Sequence, residues 1–140
     1  MQLLWNQSYE TGNISVDNEH KEIFGLVEKI LNEKFESKSE KIKKAIAFLA
    51  NYTVRHFQNE EKLMEESNYP RTAEHKQQHA DFVVTVGELQ EKLRIGTEEL
   101  NLSLIVNEVI VNWLTEHIIG SDKAMAKFYK EFKDAQKKKR

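Results

Sequence analysis

The 140-residue sequence has no cysteine, one proline and five glycines. It also has no apolar run approaching the roughly 20 residues of a membrane-spanning helix. The absence of cysteine excludes disulfides, thiolate-bound haem, iron–sulfur clusters and a thiol nucleophile. Any metal would therefore be held by nitrogen and oxygen. The first ten residues lack both a basic leader and a sustained apolar stretch, so no secretory signal is expected. A soluble, cytoplasmic protein is the expectation, and 140 residues suffice for one domain with its own core.

Charged residues make up 31% of the chain and apolar ones 39%, for a formal charge of −2. That charge is uneven: Lys127 to Arg140 carries seven basic residues against Glu131 and Asp134. A basic end can touch nucleic acid or lipid, but the acidic remainder repels phosphate. Neither partner is expected, and about residues 134–140 read as a frayed tail.

Scarce glycine and proline, with abundant Glu, Lys and Leu, favour helix nearly everywhere. Residues 1–16 read as an irregular arm carrying Trp5 and Tyr9, with Gly12 at a turn. Four stripes of three-or-four spacing follow. The first is His20, Ile23, Phe24, Val27, Ile30 and Leu31, with Asp17 as the expected N-cap. After a polar break at Ser37–Ser39 comes Ile42, Ala45, Ile46, Leu49, Tyr52, His56, Glu60, Leu63 and Met64. Tyr69–Pro70 is expected to open a third helix, with His75, His79, Phe82, Val86, Leu89 and Leu93 on one face. Gly96 and Thr97 supply a stop and a new cap before Leu102, Val106, Val109, Ile110, Trp113 and His117. A helical extension continues through Ile118, Met125, Phe128, Tyr129 and Phe132. The fold class predicted is all-α, an up-down-up-down four-helix bundle.

The stripes contain residues a plain bundle would not bury. His56, Glu60, His75, His79 and His117 sit at core-facing positions, and His20 is the remaining histidine of the chain. Burying such groups without partners costs about 2–7 kcal/mol each. Positions four apart are related by about 400° of rotation, so His75 and His79 point one way. His56 and Glu60 do the same. Such pairs are how helices present two ligands to one metal. Five histidines and a carboxylate exceed the four ligands of a zinc site, which favours two metals. The nitrogen and oxygen donors suit iron, with manganese or zinc as competitors. Glu-x-x-His, the mark of ferritin-like di-iron sites, does not occur.

These residues resemble the hemerythrins, and among them the single-domain bacteriohemerythrins. The resemblance runs from Trp5 to about Tyr129. It rests on Trp5, Tyr9 and Gly12; Val16-Asp17-x-Glu19-His20; and His56-Phe57-x-x-Glu60-Glu61-x-Leu63-Met64. It continues with Tyr69-Pro70, His75-x-x-x-His79-x-x-Phe82 and Trp113-Leu114-x-x-His117-Ile118-x-x-x-Asp122. The resemblance implies two oxo- or hydroxo-bridged iron ions: His75, His79 and His117 on one, His20 and His56 on the other with a position open, and Glu60 and Asp122 bridging. Asp122 follows His117 by about 500° of regular helix, facing away; a π-type turn near Gly120 would restore the common face. Glu61, Asp81 and Glu116 are surface charges or partners of a ligand imidazole.

The implied function is reversible O2 binding for storage, delivery or sensing, by a non-enzyme that acts as a monomer. An oxygen-using enzyme or a reductase would be its protein partner. Ile23, Phe57, Trp113, Leu114 and Ile118 would wall the O2 pocket and keep it dry. The rival readings are a di-iron enzyme reducing peroxide or nitric oxide, a sensory module, and a zinc-loaded structural bundle.

Overall fold

A computed structural model of the chain describes residues 4–34, 36–95 and 111–139. Among them all regular structure is helical. A short 3-10 turn, Gln7–Tyr9, precedes α1 (Ile14–Leu31), α2 (Lys38–Ser67) and α3 (Thr72–Arg94). The described part of the fourth helix, α4, begins π-helical at 111–113 and runs on to 138 in three parts: Leu114–Glu116 is α-helical, His117–Asp122 π-helical and Lys123–Lys138 α-helical again. Right-handed helical dihedrals persist across both junctions, so the three parts form one rod. The helices make a four-helix bundle in which α2 packs on α1, α3 and α4.

Helix boundaries differ from the expected ones in three places. Asn13, not Asp17, caps α1: its side chain accepts from Val16 N at 3.1 Å. Asp17 instead holds the arm, accepting from Thr11 N (2.9 Å), Thr11 Oγ1 (2.8 Å) and Gly12 N (3.3 Å). Gly12 takes φ +91° in that loop, a conformation open to glycine and strained for other residues. The arm therefore ends before Ile14 rather than at Val16. Pro70 does not open α3. It lies in the turn after α2, whose C-cap Asn68 is left-handed at φ 55°, and α3 begins two residues beyond it. The basic stretch read as a tail stays helical as far as Lys138. Ser37 caps α2, accepting from Glu40 N, within the expected break. Gly96, Thr97, Leu102, Val106, Val109 and Ile110 lie outside the described residues.

Buried residues form three zones. The large apolar cluster takes Ile23, Phe24 and Val27 from α1, Ile42 to Leu49 and Phe57 from α2, Phe82 to Leu93 from α3, and Leu114 and Ile118 from α4. A smaller one, Val16, Met64, Tyr69 and Met125, closes the other end. Between them sit the five histidines with Glu60 and Asp122, all buried. Along each helix the apolar cluster, polar zone and end plug appear in alternating order, as antiparallel neighbours require.

Candidate metal centre

Seven side chains converge in the middle zone. Glu60, His75, His79, His117 and Asp122 offer ligand atoms within 4.8 Å of one another, and so do His20, His56, Glu60 and Asp122. The two groups share both carboxylates. All seven residues are buried, at 6% exposure or less. Each long helix contributes through its periodicity: His20 from α1, His56 and Glu60 one turn apart on α2, His75 and His79 one turn apart on α3.

α4 solves a harder problem. In a regular helix Asp122 would face about 140° away from His117. The π-helical segment begins at His117 and ends at Asp122, and its wider turn returns the carboxylate to the same face. Asp122 Oδ1 lies 3.0 Å from His117 Nε2 as a result.

The carboxylates divide their oxygens between the groups. Glu60 Oε1 faces His79 Nε2 at 3.0 Å and His75 Nε2 at 3.6 Å; Glu60 Oε2 faces His56 Nε2 at 3.2 Å and His20 Nε2 at 3.5 Å. Asp122 does likewise: Oδ1 is 3.0 Å from His75 Nε2, and Oδ2 is 2.9 Å from His20 Nε2. His79 Nε2 and His117 Nε2 approach each other at 3.2 Å. These atoms converge without pairing well. Both oxygens of Glu60, both of Asp122, and Nε2 of His20 and His75 are buried with no aligned hydrogen bond. Orphaned buried donors and acceptors of this density are expensive in a closed fold. Cations between the two carboxylates would satisfy them at once. The nitrogen-and-oxygen donor set suits iron, so the residues present fit a metal pair.

Charge follows the same logic. Burial alone would lower the His56 pKa, but the charge of Glu60 and the hydrogen bond to Glu19 raise it to about 10. Burial is likewise outweighed at His75, where contacts with Asp122 and Glu60 raise it to about 9. Burial would raise the Glu60 pKa, yet His56 and His20 hold it well below the usual carboxylate range. For Asp122, burial and the Glu60 charge are overcome by His117 and His20, which lower it.

Two imidazoles are held from behind. His56 Nδ1 donates to Glu19 Oε1 at 2.9 Å, and Asn59 Nδ2 steadies the other oxygen of Glu19 at 2.6 Å. His79 Nδ1 donates to Glu61 Oε2 at 2.9 Å. Each bond fixes the tautomer that aims Nε2 inward. Glu61 thus takes the imidazole-partner role, whereas Asp81 accepts from Gln77 on the surface and Glu116 lines an outer cleft. Glu19 escapes sequence reasoning because its partner lies 37 residues away. Among the expected wall residues, Ile23, Phe57, Leu114 and Ile118 are buried in the large apolar cluster, and Trp113 packs on it. Phe57 stacks on His79 at 3.9 Å between ring centroids, and Trp113 on His117 at 4.5 Å. Both rings therefore lie against the three-histidine group.

Comparison with known proteins agrees with this geometry. The pattern of the hemerythrin HHE cation binding domain matches residues 11–129. A bacteriohemerythrin of Methylococcus capsulatus is 33% identical over 107 residues, covering 76% of this chain and 80% of the relative. One of Stenotrophomonas maltophilia is 29% identical over 124 residues, covering 89% and 79%. The crystal structure of a wild-type hemerythrin superposes with a TM-score of 0.77 at 28% identity, covering 92% of this chain and 98% of that one.

Proposed function

The chain belongs to the hemerythrin family, and from that premise we propose that it binds O2 reversibly at a pair of non-haem iron ions. One domain suffices for this, since the family pattern spans nearly the whole bundle. His75, His79 and His117 would hold one ion, His20 and His56 the other, and Glu60 and Asp122 would bridge them. The division of the carboxylate oxygens carries this reading: Oε1 and Oδ1 face one histidine set, Oε2 and Oδ2 the other. The set with His20 and His56 has one protein donor fewer, which leaves room there for a small ligand.

Two ferrous ions held by these residues would supply the redox chemistry of reversible O2 binding. The chain does the rest. Glu19 and Glu61 orient His56 and His79 through Nδ1, leaving Nε2 as the donor. Ile23, Leu114 and Ile118, each 3% exposed or less, keep bulk water and its protons from the centre. Phe57 and Trp113 clamp the rings of His79 and His117 from the outside.

The test is metal analysis followed by an O2 titration of the reduced protein. About two irons per chain and uptake reversed under vacuum through several cycles are expected. His56→Ala should abolish uptake more than iron binding, and Leu114→Ser or Ile118→Asn should speed irreversible oxidation with iron retained. Sustained consumption of reductant in air, or turnover of peroxide or nitric oxide unaffected by the wall substitutions, would mean an enzyme instead. One metal per chain, or zinc alone, would overturn the assignment.

A further inference from the structure

Every donor of the centre is buried, so a metal ion reaches it only where the wall can open. Two surface clefts come close. One, of about 240 Å³, lies between the start of α3 and the π-helical turn and has His75 in its lining. The other, of about 220 Å³, has His117 in its lining. Both histidines belong to the five-donor group. Gln78 and Ser121 line both clefts, and Ser121 Oγ donates to Gln78 Oε1 at 2.6 Å. This hydrogen-bonded pair therefore belongs to the walls of both clefts.

Ser121 occupies a telling position. It precedes Asp122 inside the π-helical segment that also begins with His117, and Gly120 stands beside it. The other five donors sit within helices of 18 to 30 residues. A π turn is the less regular ladder, so it is the ligand-bearing element that yields first. A movement of Ser121 away from Gln78 would join the clefts and carry two donors with it. Glu116 lines the second cleft with no lysine or arginine beside it among the described residues, which favours cations there, whereas in the first cleft the Glu74 carboxylate is paired with Arg71 at 3.1 and 3.2 Å. On the α1–α2 side, Glu19 bonds His56 and Asn59 in turn bonds Glu19.

We infer that these joined clefts are the passage by which divalent metal ions reach and leave the centre, latched by the Gln78–Ser121 hydrogen bond. The inference rests on the metal-binding reading above. Neither residue is a metal donor, so the latch can be removed with the centre intact.

The experiment measures two rates: uptake of ferrous ion by metal-free protein, and iron extraction by a ferrous chelator, both under anaerobic stopped-flow. Ser121→Ala and Gln78→Ala should each speed both rates by about 2- to 10-fold, the population shift expected from losing one net hydrogen bond. Final iron content should be unchanged. The double variant should be no faster than the faster single one, because both remove the same bond. Tyr52→Phe serves as control: it removes an equally short bond, 2.6 Å to Glu22, on the α1–α2 face. It should leave both rates alone. Wild-type rates in both latch variants with normal iron content, or equal acceleration by Tyr52→Phe, would overturn the passage. A wild-type chain that takes up no iron would instead overturn the reading beneath it.

Discussion

α2 carries two kinds of core along its own length. Toward its start it buries Ile42, Ala45, Ile46 and Leu49; past Thr53 it buries His56 and Glu60 just as deeply. Thr53 marks the boundary, its hydroxyl turned back to Leu49 O. In the apolar half each large side chain gains about 1.5–3 kcal/mol by leaving water. His56 and Glu60 gain nothing of the kind, and the polar zone leaves seven buried atoms of Glu60, Asp122, His20 and His75 without an aligned partner. The apolar cluster and the end plug hold the polar zone in shape, and metal binding supplies what that zone lacks. Burial stabilises the apolar half, and bound metal would stabilise the polar one.

That contrast is broken most directly by taking the metal away. Iron removal by chelation should lower the free energy of urea unfolding by more than a core leucine truncation does, which is about 2–5 kcal/mol. Asp122→Ala, which deletes a shared carboxylate, should reach the same state without chelator. Unfolding curves of loaded and stripped protein that coincide would show the polar half to be self-sufficient. In the other half, Leu49→Ala should cost those ~2–5 kcal/mol while iron per chain stays near its wild-type value. Iron lost in step with stability would join the two halves into one unit.

What the sequence makes visible follows the same division. The first three helices and most of the large cluster are readable from apolar spacing, because burial repeats with the helix period, whereas Val16 and Tyr69 of the small cluster lie on no predicted stripe. His56, Glu60, His75 and His79 are readable too, since pairs four apart share a face on any regular helix. Asp122 is not, because its direction depends on a π-helical turn that no local spacing announces; only the family resemblance brings it in. Glu19 and Asn59 are hidden for another reason: Glu19 reaches from α1 to both His56 and Asn59 on α2, and tertiary partners leave no periodic trace. Asp17 is misread as a cap because Asn13 and Asp17 have equivalent capping chemistry. The arm decides between them by binding Asp17 through Thr11 and Gly12.

The pH response of stripped protein sharpens the comparison next. With iron removed, His56 and His75 have pKa values near 10 and 9, above the ordinary 6.5. A raised histidine contributes stability that is full below about pH 6.5 and is lost as pH climbs through 9 to 10. Glu60 and Asp122, held low, contribute above about pH 4.5 and lose it on acidification. Stripped protein should therefore melt highest between about pH 4.5 and 6.5 and decline on both sides. Iron-loaded protein should lack the alkaline decline, since its histidines bind as neutral imidazoles. Leu49→Ala should lower the whole profile without changing its shape. A flat profile for stripped protein would detach the histidines from its stability.

The smallest effect expected distinguishes charge from position behind the imidazoles. Glu19 and Glu61 each accept from a histidine Nδ1, and an amide oxygen can accept the same bond. Glu19→Gln and Glu61→Gln should therefore keep the Nδ1–H tautomer, the fold and the iron, while removing the negative charge that makes Nε2 a stronger donor. Alanine at either position deletes bond and charge together, and should weaken iron binding by about 10- to 100-fold, the usual scale for such partners. The glutamine variants should fall between alanine and wild type in affinity and shift the reduction potential of the bound pair. They should leave the urea behaviour of the apolar half unchanged. Glu19 differs from Glu61 in one respect: Asn59 already occupies its second oxygen. Asn59→Ala should consequently reproduce a weak form of the Glu19→Gln shift, with no counterpart at Glu61. If glutamine and alanine prove equally damaging, charge is the whole of the carboxylate's role. If glutamine matches wild type in both affinity and potential, the bond's geometry is all that the polar half requires from these two residues.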